Sequence, residues 1–146
     1  MIKAARKHSG KRDAILRTIQ STESHPSARW VYDKLKPLIP DLSLGTVYRN
    51  INIFRAEGRV ISVGVVDGEE RFDGRVEPHP HFLCERCGAV IDLGESVQSE
   101  LSANFSIKIP GCTVDTRKTL FCGTCKDCEI NRACETGPAI PAEYSA

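Results

Sequence analysis

The stretch Leu42–Asp73, LSLGTVYRNINIFRAEGRVISVGVVDGEERFD, decides the fold, because it passes from a helical repeat to a strand repeat without a linker. Ser43 is a good N-cap, Leu44, Val47, Ile51 and Phe54 follow as one inward stripe, and Gly58 is placed to stop the helix. At about 100° per residue, Gly45, Arg49, Asn52 and Ala56 share the opposite face, with Tyr48 at the edge of the apolar stripe. Two β-rich runs come next, joined by Asp67-Gly68, a strong hairpin dipeptide.

The sequence before it supplies two more helices. Residues 12–21 carry Ile15, Leu16 and Ile19 on one face, ahead of the polar STESHP. Ser27 caps a second helix with Ala28, Val31, Tyr32 and Leu35 at i, i+3, i+4 and i+7, before Pro37 and Pro40 interrupt it. Three helices followed by a hairpin describe a winged helix-turn-helix. In such modules the last helix enters the major groove, while the wing and earlier basic residues hold phosphates. Thr46, Tyr48, Arg49 and Asn52 are therefore expected to face DNA, and Lys7, Lys11, Arg12 and Arg17 to position its backbone.

Charge agrees with this expectation. The net charge of +1 conceals 12 Lys/Arg against 5 Asp/Glu through Arg59, and 8 against 14 beyond it. The first part suits a polyanion and the second suits cations. A hydrophobic fraction of 40% and a charged fraction of 27% are ordinary for a soluble globular chain. No apolar run approaches the roughly 20 residues that span a bilayer, so no membrane partner is expected. The start, MIKAARKHSGKRD, is basic with no apolar segment after it, which points to the cytoplasm. Cysteines there favour metals over disulfides.

After a linker around Gly74–Pro80, the stretch Pro78–Leu93, PHPHFLCERCGAVIDL, begins a small α+β unit. HFLCE and AVIDL read as strands around a cysteine knuckle, Glu95–Asn104 as a helix, SIKI and CTVDTRKTLFC as two further strands, and ACETGPAIPAEYSA as a flexible end. Cys84-x-x-Cys87 and Cys125-x-x-Cys128 form a split pair of knuckles with zinc spacing. Four thiolates close a tetrahedral shell and leave no position for chemistry, so such a site staples a small domain. Cys122-x-x-Cys125 is an equally regular alternative.

His79 and His81 alternate along a strand and so point to one side, away from Cys84 on the other parity. Asp73 and Asp92 bring hard oxygen donors, and His25 is the remaining histidine placed to join them. This donor set suits Fe, Mn, Zn, Ni or Co and does not choose among them. A hydrolytic site would need a positioned base and a substrate cleft; no separate motif supplies either, so no enzyme is expected.

In order, LSLGTVYRNINIFRAEGRV, RFD, HPHFLCERCG, VIDL and CGTCKDC resemble the ferric uptake regulator family of dimeric, metal-dependent bacterial repressors, over nearly all of residues 6–128. The resemblance implies a winged-helix DNA-binding domain at 1–74, a hinge at 75–80, a dimerisation and metal-binding domain at 81–130, and a tail at 131–146. The family's G-x-C-x-x-C aligns on Gly123 and selects Cys125 and Cys128, which with Cys84 and Cys87 hold one structural Zn(II) per subunit. It likewise implies one regulatory Fe(II) or Mn(II) per subunit on His25, Asp73, His79, His81 and Asp92. Operator double-stranded DNA and a second copy of the chain are the implied partners.

Aspartate at position 92, where iron-sensing members usually carry glutamate, favours the peroxide-sensing branch. Pro78, Pro80 and the histidine-free VDTR deplete the auxiliary site of iron-type members, and HSGKR replaces the usual T-P-Q-R. The expected function is repression lifted when hydrogen peroxide oxidises a ligating histidine, His25 or His79; the alternative is repression that reports iron, manganese or zinc supply.

Overall fold

A computed structural model describes residues 10–104, 109–114 and 118–130. The chain divides into two compact units, 1–64 with 69–76, and 65–68 with 77–146.

In the first unit, α1 (Gly10–Gln20), α2 (Ala28–Leu35) and α3 (Leu44–Ala56) surround one core. Ile15, Leu16 and Ile19 enter it from α1, Val31 and Leu35 from α2, and Val47, Ile51 and Phe54 from α3. The expected stripes are present, except that Tyr32 and Leu44 stay half-buried at the margin. Two serines start the later helices. Ser27 Oγ accepts the Trp30 amide and Ser43 Oγ the Thr46 amide, each at 3.2 Å. Such a cap stabilises a helix by about 1 kcal/mol. The first helix begins at Gly10, two residues before the expected start at 12, and ends at Gln20.

β1 (Ile61–Val66) and β2 (Glu69–Asp73) pair as a hairpin. Its turn holds Asp67 at φ 55° and Gly68 at φ 75°, two left-handed residues in succession, as a type I′ turn requires. Phe72 returns from β2 into the helical core.

The second unit is built on a three-stranded sheet in the order β4-β3-β5, from β3 (His81–Cys84), β4 (Val90–Asp92) and β5 (Leu120–Gly123). β3 and β4 are antiparallel with His81 opposite Asp92, whereas β3 and β5 are parallel with His81 opposite Leu120. α4 occupies Glu95–Asn104, as its sequence predicts, and a short α5 covers Lys126–Ile130. The strand expected across CTVDTRKTLFC is shorter than its β-rich sequence suggests. Among the described residues of this stretch, Cys112–Val114 is exposed and irregular, and Leu120–Gly123 joins the sheet. A strand persists only where a neighbour satisfies its amides. Of the expected SIKI strand, residues 106–108 lie outside the described residues, as does the tail from 131; Ile109 is irregular.

Candidate metal centres and nucleic-acid face

Parallel pairing brings the ends of β3 and β5 to the same edge of the sheet. Cys84 is the last residue of β3, and Cys125 lies two residues beyond β5. The Glu85 amide donates to the Gly123 carbonyl at 2.8 Å, and the Cys125 amide to Cys84 Sγ at 3.3 Å. The first knuckle closes on itself through Gly88, whose φ of 69° lets its amide reach the Cys84 carbonyl at 2.8 Å. Arg86 Nη1 donates to the Cys128 carbonyl at 3.0 Å and ties the two knuckles together.

The sulfurs of Cys84, Cys87, Cys125 and Cys128 lie within 4.8 Å of one another, with Cys87 and Cys125 at 3.8 Å. A tetrahedron with Zn–S bonds of about 2.3 Å has edges of about 3.8 Å. These residues therefore fit a closed zinc shell. Burial pushes the Cys84 thiol up, but the amides of Cys125, Cys87 and Arg86 outweigh it and hold its pKa at about 6. Burial raises Cys87. Thiolate is the ligating form, and these amides favour it at Cys84. Cys122 stands opposite Leu83 and so has the parity opposite to Cys84; it is exposed and outside the group. Cys134 lies outside the described residues.

On the other parity of β3 the second unit carries a nitrogen and oxygen set. Asp92 Oδ1 lies 3.0 Å from His79 Nε2 and 3.3 Å from His81 Nε2, and the two rings stand 4.3 Å apart. His79 Nδ1 is 2.7 Å from the Glu77 carbonyl. A carbonyl only accepts, so Nδ1 donates to it and Nε2 is the ring atom that faces Asp92. Two electron-rich atoms this close call for a cation between them, either a second ring proton or a metal ion. Two ligand bonds of about 2.1 Å at a right angle separate their donor atoms by about 3.0 Å. The set fits a metal, and both histidines are buried.

The first unit carries a matching pair. His25 Nε2 lies 3.8 Å from Asp73 Oδ2, both side chains buried. The Phe72 amide donates to the Pro26 carbonyl at 3.1 Å, and Ser27 bridges Arg71, so the loop before α2 is stitched to the strand that ends in Asp73. The Arg75 amide donates to Asp73 Oδ1 at 2.7 Å, which orients the carboxylate. His25 adopts φ 49°, a left-handed conformation uncommon outside glycine.

The residues expected to meet DNA divide in two. Arg49 and Asn52 are exposed on α3, and Tyr48 is 45% exposed beside them. The Thr46 hydroxyl shares a 2.8 Å hydrogen bond with Ser43 Oγ at the helix start. Lys11 instead pairs with Asp41, and holds that carboxyl below the usual carboxylate range by hydrogen bonding. Arg12 pairs with Glu57 at 2.6 Å. Arg17 is exposed, and Lys7 lies outside the described residues.

Known proteins resemble this chain in sequence and in fold. The Peroxide-responsive repressor PerR of Staphylococcus epidermidis is 31% identical over 118 residues, covering 81% of this chain and 78% of that protein. The Campylobacter jejuni peroxide stress regulator shares the fold with a TM-score of 0.61 at 26% identity, covering 81% of this chain and 88% of that one. The Helicobacter pylori ferric uptake regulator Fur superposes with a TM-score of 0.64 at 21% identity, over 84% and 82% of the two chains. The family profile described as "Ferric uptake regulator family" matches residues 3–115. With its two donor clusters on opposite parities of one strand, the chain belongs to the ferric uptake regulator family of metal-responsive transcriptional regulators.

Proposed function

We propose that this protein is a dimeric repressor of the bacterial cytoplasm, whose grip on operator DNA depends on a regulatory metal and is released by hydrogen peroxide. The observation that carries the reading is Asp92 Oδ1 set between the Nε2 atoms of His79 and His81, with the His79 tautomer fixed by Glu77. The relatedness to PerR of Staphylococcus epidermidis supports the peroxide branch, and so does aspartate rather than glutamate at position 92.

In this reading residues 1–74 are a winged-helix DNA-binding domain, 75–80 a hinge and 81–130 the dimerisation domain. Thr46, Tyr48, Arg49 and Asn52 of α3 face the major groove, and Lys11 and Arg12 support that face. Cys84, Cys87, Cys125 and Cys128 hold one structural Zn(II) per subunit. His25 and Asp73 from the first domain, with His79, His81 and Asp92 from the second, hold one Fe(II) or Mn(II) per subunit.

Fe(II) held by these residues would supply electrons to hydrogen peroxide, a chemistry that Mn(II) would not supply. The chain's own groups do the rest. One ion held by donors from both domains would tie them together, so binding would favour the DNA-competent arrangement. His25 and His79 would be the ligands open to that oxidation, and an imidazole that has gained an oxygen atom from the peroxide would be a poorer ligand. The domains then part, and the paired DNA-reading helices of the dimer lose their common register.

The test is DNA binding of the Fe(II)-loaded and Mn(II)-loaded dimer with and without hydrogen peroxide, followed by mass spectrometry of the His25 and His79 peptides. The expected result is loss of binding by the iron form alone, with a mass gain of one oxygen on either peptide. An iron form that holds DNA through the treatment with both peptides unmodified would leave a repressor that reports metal supply.

A further inference from the structure

The turn between α2 and α3 offers three consecutive backbone carbonyls, and two ammonium groups from different helices converge on them. Lys36 Nζ, from the end of α2, donates to the Pro40 carbonyl at 2.8 Å and to the Leu42 carbonyl at 2.9 Å. Lys11 Nζ, from the first turn of α1, donates to the carbonyl between them, that of Asp41, at 3.3 Å, and to the Asp41 carboxylate. The neighbouring residue reaches the other end of the same helix. Arg12 Nη2 meets both oxygens of Glu57, the C-cap of α3, at 2.6 and 2.7 Å. Its guanidinium also lies 5.2 Å from the Phe54 ring.

Adjacent residues of α1 thus hold the two ends of α3, and α2 holds its leading turn a second time. One exposed ion pair stabilises little. Three cations placed at both termini of one 13-residue helix act differently, because they limit how it tilts and slides on the core. The Ser43 cap adds to this at the start, where the Thr46 and Val47 amides both reach Ser43.

We propose that Lys36, Lys11 and Arg12 are positioning residues that fix the pitch of α3 for base reading, and that Asp41 and Glu57 are their anchors. This rests on the reading of α3 as the DNA-contacting helix. Phosphate contact by these cations is the competing role, and it predicts different behaviour. A cation that neutralises a phosphate contributes to the slope of log affinity against log salt, whereas one that only orients the helix leaves that slope alone. Removing the acidic anchors should free the cations for phosphate in the competing case, and loosen the helix in ours.

The experiment compares the unaltered Mn(II)-loaded protein with Lys36→Met, with Lys36→Arg, and with the double variant Asp41→Asn and Glu57→Gln. Amide hydrogen exchange without DNA reads the frame itself. We expect the Leu42, Thr46 and Val47 amides to exchange about tenfold faster in Lys36→Met and in the double variant, in proportion to lost charge-assisted hydrogen bonds, and Lys36→Arg to restore protection. Unchanged exchange in both variants overturns the proposal.

Binding is then measured on a fluorescent duplex selected by the unaltered protein from a random pool. Selectivity over a scrambled duplex should fall in both variants with the salt slope unchanged. A slope reduced by about one per subunit in Lys36→Met, or tighter binding with full selectivity in the double variant, also overturns it. An unaltered protein that selects no duplex refutes the DNA reading instead, and exchange still reports on the frame.

Discussion

His25 shows what one residue contributes. A left-handed backbone costs an ordinary residue about 1 kcal/mol or more, and His25 holds φ 49° beside a buried carboxylate. The hydrogen bond from Phe72 to Pro26 and the Ser27–Arg71 bridge hold it there. Asparagine tolerates that conformation but offers no imidazole, so His25→Asn is expected to unfold in urea within about 1 kcal/mol of the unaltered chain while losing Mn(II)-dependent DNA binding. Equal loss of both would assign His25 to folding alone. Asp92→Glu is expected to keep metal-dependent DNA binding and to lose sensitivity to peroxide, as read by oxidation of the His79 peptide; undiminished oxidation would place the discrimination elsewhere. Much of this was legible in the sequence. Strand parity alone separates His79 and His81 from Cys84, and the register of β3 with β4 sets His81 opposite Asp92. The anchors of α3 were not legible. Arg12 and Glu57 lie 45 positions apart and Lys11 and Asp41 lie 30 apart, and no periodicity connects ion pairs across such distances.

At the scale of elements, local chemistry sets the boundaries. Ser43→Ala should destabilise the first unit by about 1 kcal/mol, measured by urea unfolding, because it removes the acceptor of the Thr46 amide. Two glycines make a sharper comparison. Gly68 has φ 75° and open space where a Cβ would go, so Gly68→Ala should cost about 1–2 kcal/mol from backbone conformation alone. At Gly74 an added Cβ would stand 2.8 Å from Gln20 Cγ and 2.9 Å from Gln20 Cα. There the end of β2 must move off α1, and Gly74→Ala should both destabilise the unit and shift the amide signals of Gln20 and Asp73, while Gly68→Ala leaves those signals in place. The capped, periodic helices were readable because each carries its own start signal and stripe. α5 was missed because a five-residue helix has no stripe to read, although Cys125-x-x-Cys128 spans its start. The strand over Cys112–Val114 was overread for the opposite reason: β-rich composition says nothing about whether a neighbour is present.

At the scale of the whole molecule, the two units rely on different means of stability. The first has a contiguous apolar core of twelve residues, from Ile15 to Phe72, and Phe54→Ala should cost it about 3–5 kcal/mol. The second has short strands, a half-exposed sheet and four converging sulfurs. Cys84→Ser is accordingly expected to abolish zinc retention and to leave the second unit unfolded while the amide dispersion of residues 10–64 persists, as read by two-dimensional NMR and metal analysis. Zinc retained in full by that variant would remove the cysteine cluster from the argument. The parallel pairing of β3 with β5 has a consequence for biosynthesis. Cys84 and Cys125 are 41 positions apart, so the second knuckle leaves the ribosome well after the first, and until then the first offers only two of the four sulfurs. On the proposed zinc staple, a nascent chain made in a zinc-starved cell is expected to finish its helical lobe and to stall before its sheet, exposed to proteases. With the zinc staple proposed above, steady-state abundance of the protein is expected to track zinc supply, so that a response through one metal would be rationed by another.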